Sequence, residues 1–427
     1  MTKTYEFLIV GSGAGGSTLA FELSKRGKDV MVIEKGNRES DIGTFKDCLR
    51  YYDTTIIKTP AKSKEGVILW RTFMAGGSTV VSCGNGVRCL ERELGDKGIN
   101  LNDEFIDAEN EMCISPISSD LLSEGSHTIM RAATDLGYHM EPMPKFINPA
   151  TCGKCSQCPL GCRKGAKWTA TNYLDEAIKF GAKILFNTRV KKVLSSNGNA
   201  TGVSIEGPLG HEEIMAQTVI IAAGGLGTPV ILQHSGIQEA GKGLFVDLLV
   251  NTYGITHEVN QIHEPVMALV DHEFYESKGF ILSPYINSTR MVRLMELGPK
   301  GSVLPASRLV GIMTKIVDES VGRVYPNGTI SKPVTERDRS RLTEGSAIAS
   351  EILVKAGADR NSIMVSIPQG AHPGGTAAIG KIVDNNLQTE IKNLFVCDGS
   401  VLPTAPGLPP ILTIVALSKR LAKTLAA

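Results

Sequence analysis

The 427-residue chain is long enough for two lobes, each with its own core. Its 45 basic residues nearly cancel 44 acidic ones, a net charge of +1, which excludes a general electrostatic pull toward nucleic acid or an anionic membrane surface. No apolar run reaches the roughly 18 residues of a membrane span, and nine cysteines without a secretory leader point to a reducing cytoplasm.

The first element, "YEFLIV", reads as a buried strand running into Gly11-x-Gly13-x-x-Gly16. A helix from about Ser17 to Lys25 and a second strand ending at Glu34 complete a dinucleotide-binding unit. Gly11 permits the tight turn, Gly13 lets the backbone approach a pyrophosphate, and Gly16 permits close helix packing. Ala14 shares that turn, where helix N–H groups face the phosphates. Glu34, 18 residues beyond Gly16, suits ribose hydroxyls and repels a 2′-phosphate, so FAD or NAD is favoured over NADP.

Residues 152–162, "CGKCSQCPLGC", place Cys152, Cys155, Cys158 and Cys162 at Cys-x2-Cys-x2-Cys-x3-Cys spacing. Bacterial ferredoxins ligate iron–sulfur clusters with that spacing, so a 4Fe–4S cluster is expected, with Gly153 and Gly161 allowing the bends. Zinc is the rival metal, because four thiolates also satisfy a tetrahedral ion, and unliganded loop cysteines are the third reading. Pro159 follows the third cysteine rather than the fourth, a departure from the ferredoxin pattern. Lys164 and Lys167 read as a solvated basic face or as an attraction for an acidic electron carrier. The dispersed Cys48, Cys83, Cys89, Cys113 and Cys397 read as small core residues.

Residues 183–207 alternate as strands of a small antiparallel sheet leading into the buried strand "TVIIAAGG". A Pro-Asn-Gly turn at 326–328 predicts a hairpin within 306–334, and a helix follows from Thr335, a capping residue with early acids behind it. No internal repeat or low-complexity linker interrupts the chain.

Four later blocks acquire meaning together: "RTFMAGGSTVVSCGNGVR" at 71–88, "VIIAAGGLGTPVILQHSG" at 219–236, "AHPGGTAAIG" at 371–380 and "LFVCDGSVLPTAPGLPPILTIVAL" at 394–417. With the N-terminal glycines, they resemble the glucose-methanol-choline (GMC) family of FAD-dependent oxidoreductases, in the family's order and over nearly the whole chain. The resemblance implies an α/β fold: a Rossmann-like FAD-binding domain of discontinuous segments, 1–95, 165–250 and 365–427. An interleaved α+β substrate domain, 96–164 and 251–364, would be built on an antiparallel sheet. It sets Gly76, Gly77, Ser78 and Asn85 against the flavin and Val190 near the adenine. Asp398 and Gly399 would meet the ribityl and pyrophosphate region, and the helix after Pro410 would point its N-terminus at the flavin edge, where a positive dipole end stabilises reduced flavin.

His372 falls where the family keeps its catalytic histidine, and imidazole suits proton removal near neutrality. The family's second active-site residue, a His or Asn, is replaced by Pro409, which has no side-chain donor. His234, His257 and His263 are candidates for the missing partner. "CSQCPLGCRKGAK" is also similar to a cysteine stretch of the long-chain alcohol oxidases in this family.

The resulting expectation is a cytoplasmic FAD-dependent alcohol dehydrogenase, or carbonyl reductase in reverse, that relays electrons through the cysteine loop to an external carrier or partner redox subunit. A non-redox lyase on the same scaffold, an oxidase with structural zinc or free cysteines, and an electron-transfer subunit without its own substrate are the other readings.

Overall fold

The computed structural model describes residues 3–54, 60–208 and 210–427. The apolar segment Thr4–Val10 forms a strand at the centre of a seven-stranded sheet, parallel to Val30–Ile33 on one side and to Gly210–Ile221 on the other. Lys183–Leu185 and Leu394–Val396 extend the parallel part. All four residues of Val30–Ile33 are buried, as expected of a strand covered on both faces. The 12-residue strand Gly210–Ile221 changes partners along its length: beyond its two parallel neighbours, its first half pairs antiparallel with Asn199–Gly207, which pairs in turn with Arg189–Ser196. The predicted alternation over 183–207 is thus a hairpin growing out of the parallel sheet.

Helix Ala14–Lys25 packs on that sheet, against helices Ala170–Lys179 and Ile411–Ala426. It begins three residues before the expected Ser17, so that two glycines occupy its first turn. A Cβ on Gly15 would lie 1.9 Å from the Cys397 carbonyl oxygen, and one on Gly16 would lie 1.9 Å from that of Gly11. The glycines let the helix sit where any side chain would collide with backbone.

A second sheet runs Phe280–Pro284, Leu309–Ile316, Leu248–Ile255, Gln369–Gly370 and Ile68–Leu69, antiparallel except for its last pair, with Met364–Val365 also on Leu248–Ile255. It also takes in Ile68–Leu69 and Gln369–Gly370, which fall inside segments 1–95 and 365–427. Helix Glu336–Lys355 covers one face, opening with the expected Thr335 cap, whose hydroxyl accepts from the Asp338 amide. The Pro-Asn-Gly turn closes the pair Gly322–Val324 and Ile330–Ser331. The fold is α/β, a parallel glycine-turn sheet with an interleaved antiparallel one, and no helix is long and apolar enough to cross a membrane among the described residues.

Gly15→Ala should lower stability by about 1–3 kcal/mol through overpacking against backbone. Gly95→Ala, at a helical glycine with open space around it, should be neutral or slightly stabilising. Thermal unfolding of the two variants beside the parent measures the difference.

Candidate active site

A cavity of about 510 Å³ runs from the glycine turn to the second sheet. Gly11 stands at φ +100° with its missing Cβ 2.3 Å from the Ala222 carbonyl oxygen, so this position admits glycine alone. Gly13 differs: nothing lies within 4 Å of where its Cβ would be, and it faces the cavity beside Ala14 at the helix N-terminus. The second glycine turn docks on the first, with the Gly76 amide donating to Ser12 Oγ (3.3 Å). Gly77, Ser78, Asn85, Val190, Asp398, Gly399 and Pro410 all line the same cavity, whereas Gly16 and Gly76 support its wall from behind.

Glu34 is buried in that wall. Its Oε2 accepts from the Ser12 amide (2.9 Å) and hydroxyl (2.7 Å), and its Oε1 from the Gly36 amide (2.7 Å). The carboxylate thus braces the turn itself, and its remaining lone pairs are what it could offer a ribose. Asp398 is likewise structural in its contacts: Oδ1 accepts from Ser400 N (2.7 Å), and Oδ2 accepts from Gly224 N (2.8 Å) and Thr228 Oγ1 (2.5 Å). Burial raises its pKa. An open cradle at Gly13, a helix N-terminus beside it and an acid at the second strand's end fit FAD.

At the far end, His372 Nδ1 lies 2.9 Å from Oδ2 of Asp247, which is wholly buried and whose Oδ1 accepts from the Gly407 amide (3.0 Å). Leu249 and Asn251 on one strand, and Met313 and Lys315 on its neighbour, point from one face of the second sheet into the cavity. Burial pushes the Asp247 carboxyl up, and the Lys315 ammonium partly offsets that. The same burial pushes Lys315 down, while burial and Lys315 together hold His372 well below its ordinary value. The imidazole is therefore neutral at physiological pH, and when Asp247 is ionised its carboxylate accepts the Nδ1–H, leaving Nε2 as the basic nitrogen.

Pro409 lines this end too and offers no donor. His257 and His263 are exposed and outside the cavity wall, whereas His234, exposed at the end of helix Gly224–His234, lines it, and none of the three hydrogen-bonds to His372 among the described residues. Sequence reasoning missed Asp247 and Lys315. Each carried a signal: a lone charge inside an apolar run, "GLFVDLLV" and "VGIMTKIV".

The cysteine loop borders the cavity through Pro159 and Leu160. Tyr51 Oη donates to the Leu160 carbonyl (2.6 Å), and Tyr52 Oη to that of Pro159. Gly161 turns the chain at φ +101°. Cys155 is exposed, and Cys152, Cys158 and Cys162 are half-buried. Lys167 is not on a solvated face. It is buried, its ammonium donating to the carbonyls of Val80 (2.9 Å), Ser82 and Cys158 (3.2 Å). Lys145 is buried beside it, donating to the carbonyls of Cys83 (2.9 Å) and Val266 (2.9 Å) and to Asn85 Oδ1. Neither lysine forms an ion pair among the described residues.

Among the described residues, the one trio of metal-type donors within 4.8 Å of one another is Glu22, Asp107 and Glu111. Lys419 fills it with ion pairs of 2.8 Å to each. No three of the loop sulfurs lie within that distance of one another. Four thiolates on one zinc, at about 2.3 Å from the metal, would sit roughly 3.8 Å from one another, so the loop as it stands is too open for a single ion.

Profiles described as GMC oxidoreductase match residues 5–249 and 318–418. An uncharacterised protein of Methanocaldococcus jannaschii is 34% identical over 421 residues, 97% of this chain and 98% of its own length. A long-chain-alcohol oxidase of Arabidopsis thaliana is 25% identical, covering 98% of this chain and 68% of its own. Pyridoxine 4-oxidase from Mesorbium loti superposes with a TM-score of 0.75 at 18% identity, covering 99% of both chains.

Gly13→Val should leave the melting temperature of the cofactor-free protein within about 2 °C of the parent, since the backbone is unstrained and the space open. It should also abolish retention of the yellow cofactor, because the side chain occupies the cradle. Absorbance of the purified variant reads the second effect.

Proposed function

Because the chain belongs to the GMC oxidoreductase family, we propose that it uses FAD to oxidise an alcohol to its carbonyl compound, or runs that reaction in reverse. The His372–Asp247 pair, in the wall of the cavity that begins at the Gly13 cradle, carries this reading. Asp247 fixes the imidazole so that Nε2 is free to take the hydroxyl proton. Bound FAD supplies the acceptor for the hydride leaving the carbinol carbon. The N-terminus of Ile411–Ala426, reached through Pro409 and Pro410 at the cavity wall, offers a positive dipole end for charge gained there. Leu249, Met267, Met313 and Trp70 give the pocket an apolar body that suits an alcohol with a hydrocarbon portion and excludes water.

We propose that Cys152, Cys155, Cys158 and Cys162 would hold a 4Fe–4S cluster, which would supply one-electron transfer to an external carrier. Spacing supports it, and so does charge: Lys145 and Lys167 are buried cations whose hydrogen-bond partners are all neutral oxygens, a setting that favours thiolates beside them. The loop's contact with the cavity makes it an exit from flavin to surface. That favours a cytoplasmic dehydrogenase over an oxidase using oxygen directly.

His372→Ala should slow anaerobic flavin bleaching by alcohol about 10²–10⁴-fold with cofactor content unchanged. No bleaching by any alcohol in the parent protein would instead favour a non-redox lyase. Protein purified without oxygen should contain roughly four irons and four sulfides per chain, and Cys155→Ser should lose them while keeping flavin. Zinc, or no metal, in the parent overturns the relay.

A further inference from the structure

Lys315 is 1% exposed, lines the cavity, and its Nζ has no hydrogen-bond partner among the described residues. Its strand register places it opposite Leu249, two residues beyond Asp247, and the Asp247 and Lys315 charges act on one another at this end of the cavity. An unpartnered ammonium in an enclosed site is unfavourable by several kcal/mol unless something polar meets it.

Four side-chain amides of the cavity wall are committed. Asn85 Nδ2 contacts Met267 Sδ (3.4 Å), and Gln369 Nε2 donates to Ser366 Oγ (3.3 Å). Asn251 Nδ2 donates to Glu296 Oε1 (3.4 Å), and Asn287 Nδ2 to Tyr285 Oη (3.2 Å). Pro409 has nothing to donate. Lys315 therefore holds three free N–H groups beside a basic imidazole, at a site whose usual second donor is missing.

Resting on the oxidoreductase reading above, we propose that Lys315 is a catalytic residue that donates a hydrogen bond to the substrate oxygen, in place of the side chain that position 409 lacks. The ammonium lowers the cost of charge on that oxygen as the O–H bond breaks and an N–H bond forms at His372 Nε2. Lys315 keeps its own protons throughout and is neither oxidised nor reduced. The site consequently takes an oxyanion as well as an alcohol. The ionisable groups facing Lys315 are Asp247 and His372 at the site, with Cys83 and Cys89 behind it.

Octanoate joins a carboxylate to a hydrocarbon body and stays ionised above neutrality, so it probes this donor without turnover. Equilibrium dialysis of holoenzyme against octanoate should give binding at pH 7 that weakens at least about tenfold as pH rises toward lysine's ordinary value near 10.4. Lys315→Met should bind about tenfold more weakly already at pH 7. The pH slope it retains reports Asp247, His372 and the two thiols. Lys315→Arg, charged at every pH used, should restore binding and abolish the alkaline loss. Equal binding by parent and Lys315→Met, or no binding by the parent at pH 7, overturns the assignment. The parent's pH series decides it even if Lys315→Met fails to fold. Octanoate binding that follows Lys315 in a protein whose flavin no alcohol bleaches would retain the oxyanion donor and refute oxidation.

Discussion

Asp247 is the carboxylate on which the chemistry depends. It stands at the head of the strand Leu248–Ile255, takes the Nδ1–H of His372, and takes the Gly407 amide just before the last helix. Three segments distant in sequence are thereby joined by one side chain without solvent around it. A buried carboxylate is tolerated only where donors and a counter-charge surround it, and here these are a ring N–H, a backbone amide and the nearby Lys315 ammonium. The constraint works in both directions: the acid is held by the site, and the tautomer of the histidine is set by the acid.

The cavity joins two kinds of recognition. At one end backbone dominates, with Gly11, Gly15 and Gly16 each occupying a position where a Cβ would meet a carbonyl oxygen and Gly13 left open toward the cavity. Backbone shape of this kind suits a cofactor that is the same in every turnover. At the other end side chains alternate from sheet strands, where a change of residue alters the pocket without altering the fold.

That division explains what was legible in the sequence. Glycine turns, the Thr335 cap and the Pro-Asn-Gly hairpin are local chemistry, each readable within a few residues, and the structure forms each of them. The helix start moved to Ala14 because Gly15 and Gly16 answer to Cys397 and Gly11, contacts no local reading contains. Asp247 and Lys315 were illegible as a pair because only strand register brings them to one face. Lys167 was misplaced for a similar reason. Its carbonyl partners at Val80 and Ser82 lie more than eighty residues earlier, so charge near a polar loop read as surface.

Four buried lysines share one physical question. Lys419 is answered by Glu22, Asp107 and Glu111, three carboxylates that make it a structural clasp. Lys145 and Lys167 donate only to neutral oxygens, and both lie beside the four-cysteine loop, which is the setting the proposed thiolate centre calls on. Lys315 has Asp247 as a nearby counter-charge but no hydrogen-bond partner, and it faces the cavity, so its N–H groups are left for an oxygen arriving from solution. A protein holds a buried charge without a hydrogen-bonded counter-charge against its own stability where function requires it, and the two places where this chain does so are the candidate site and the neighbourhood of the four-cysteine loop.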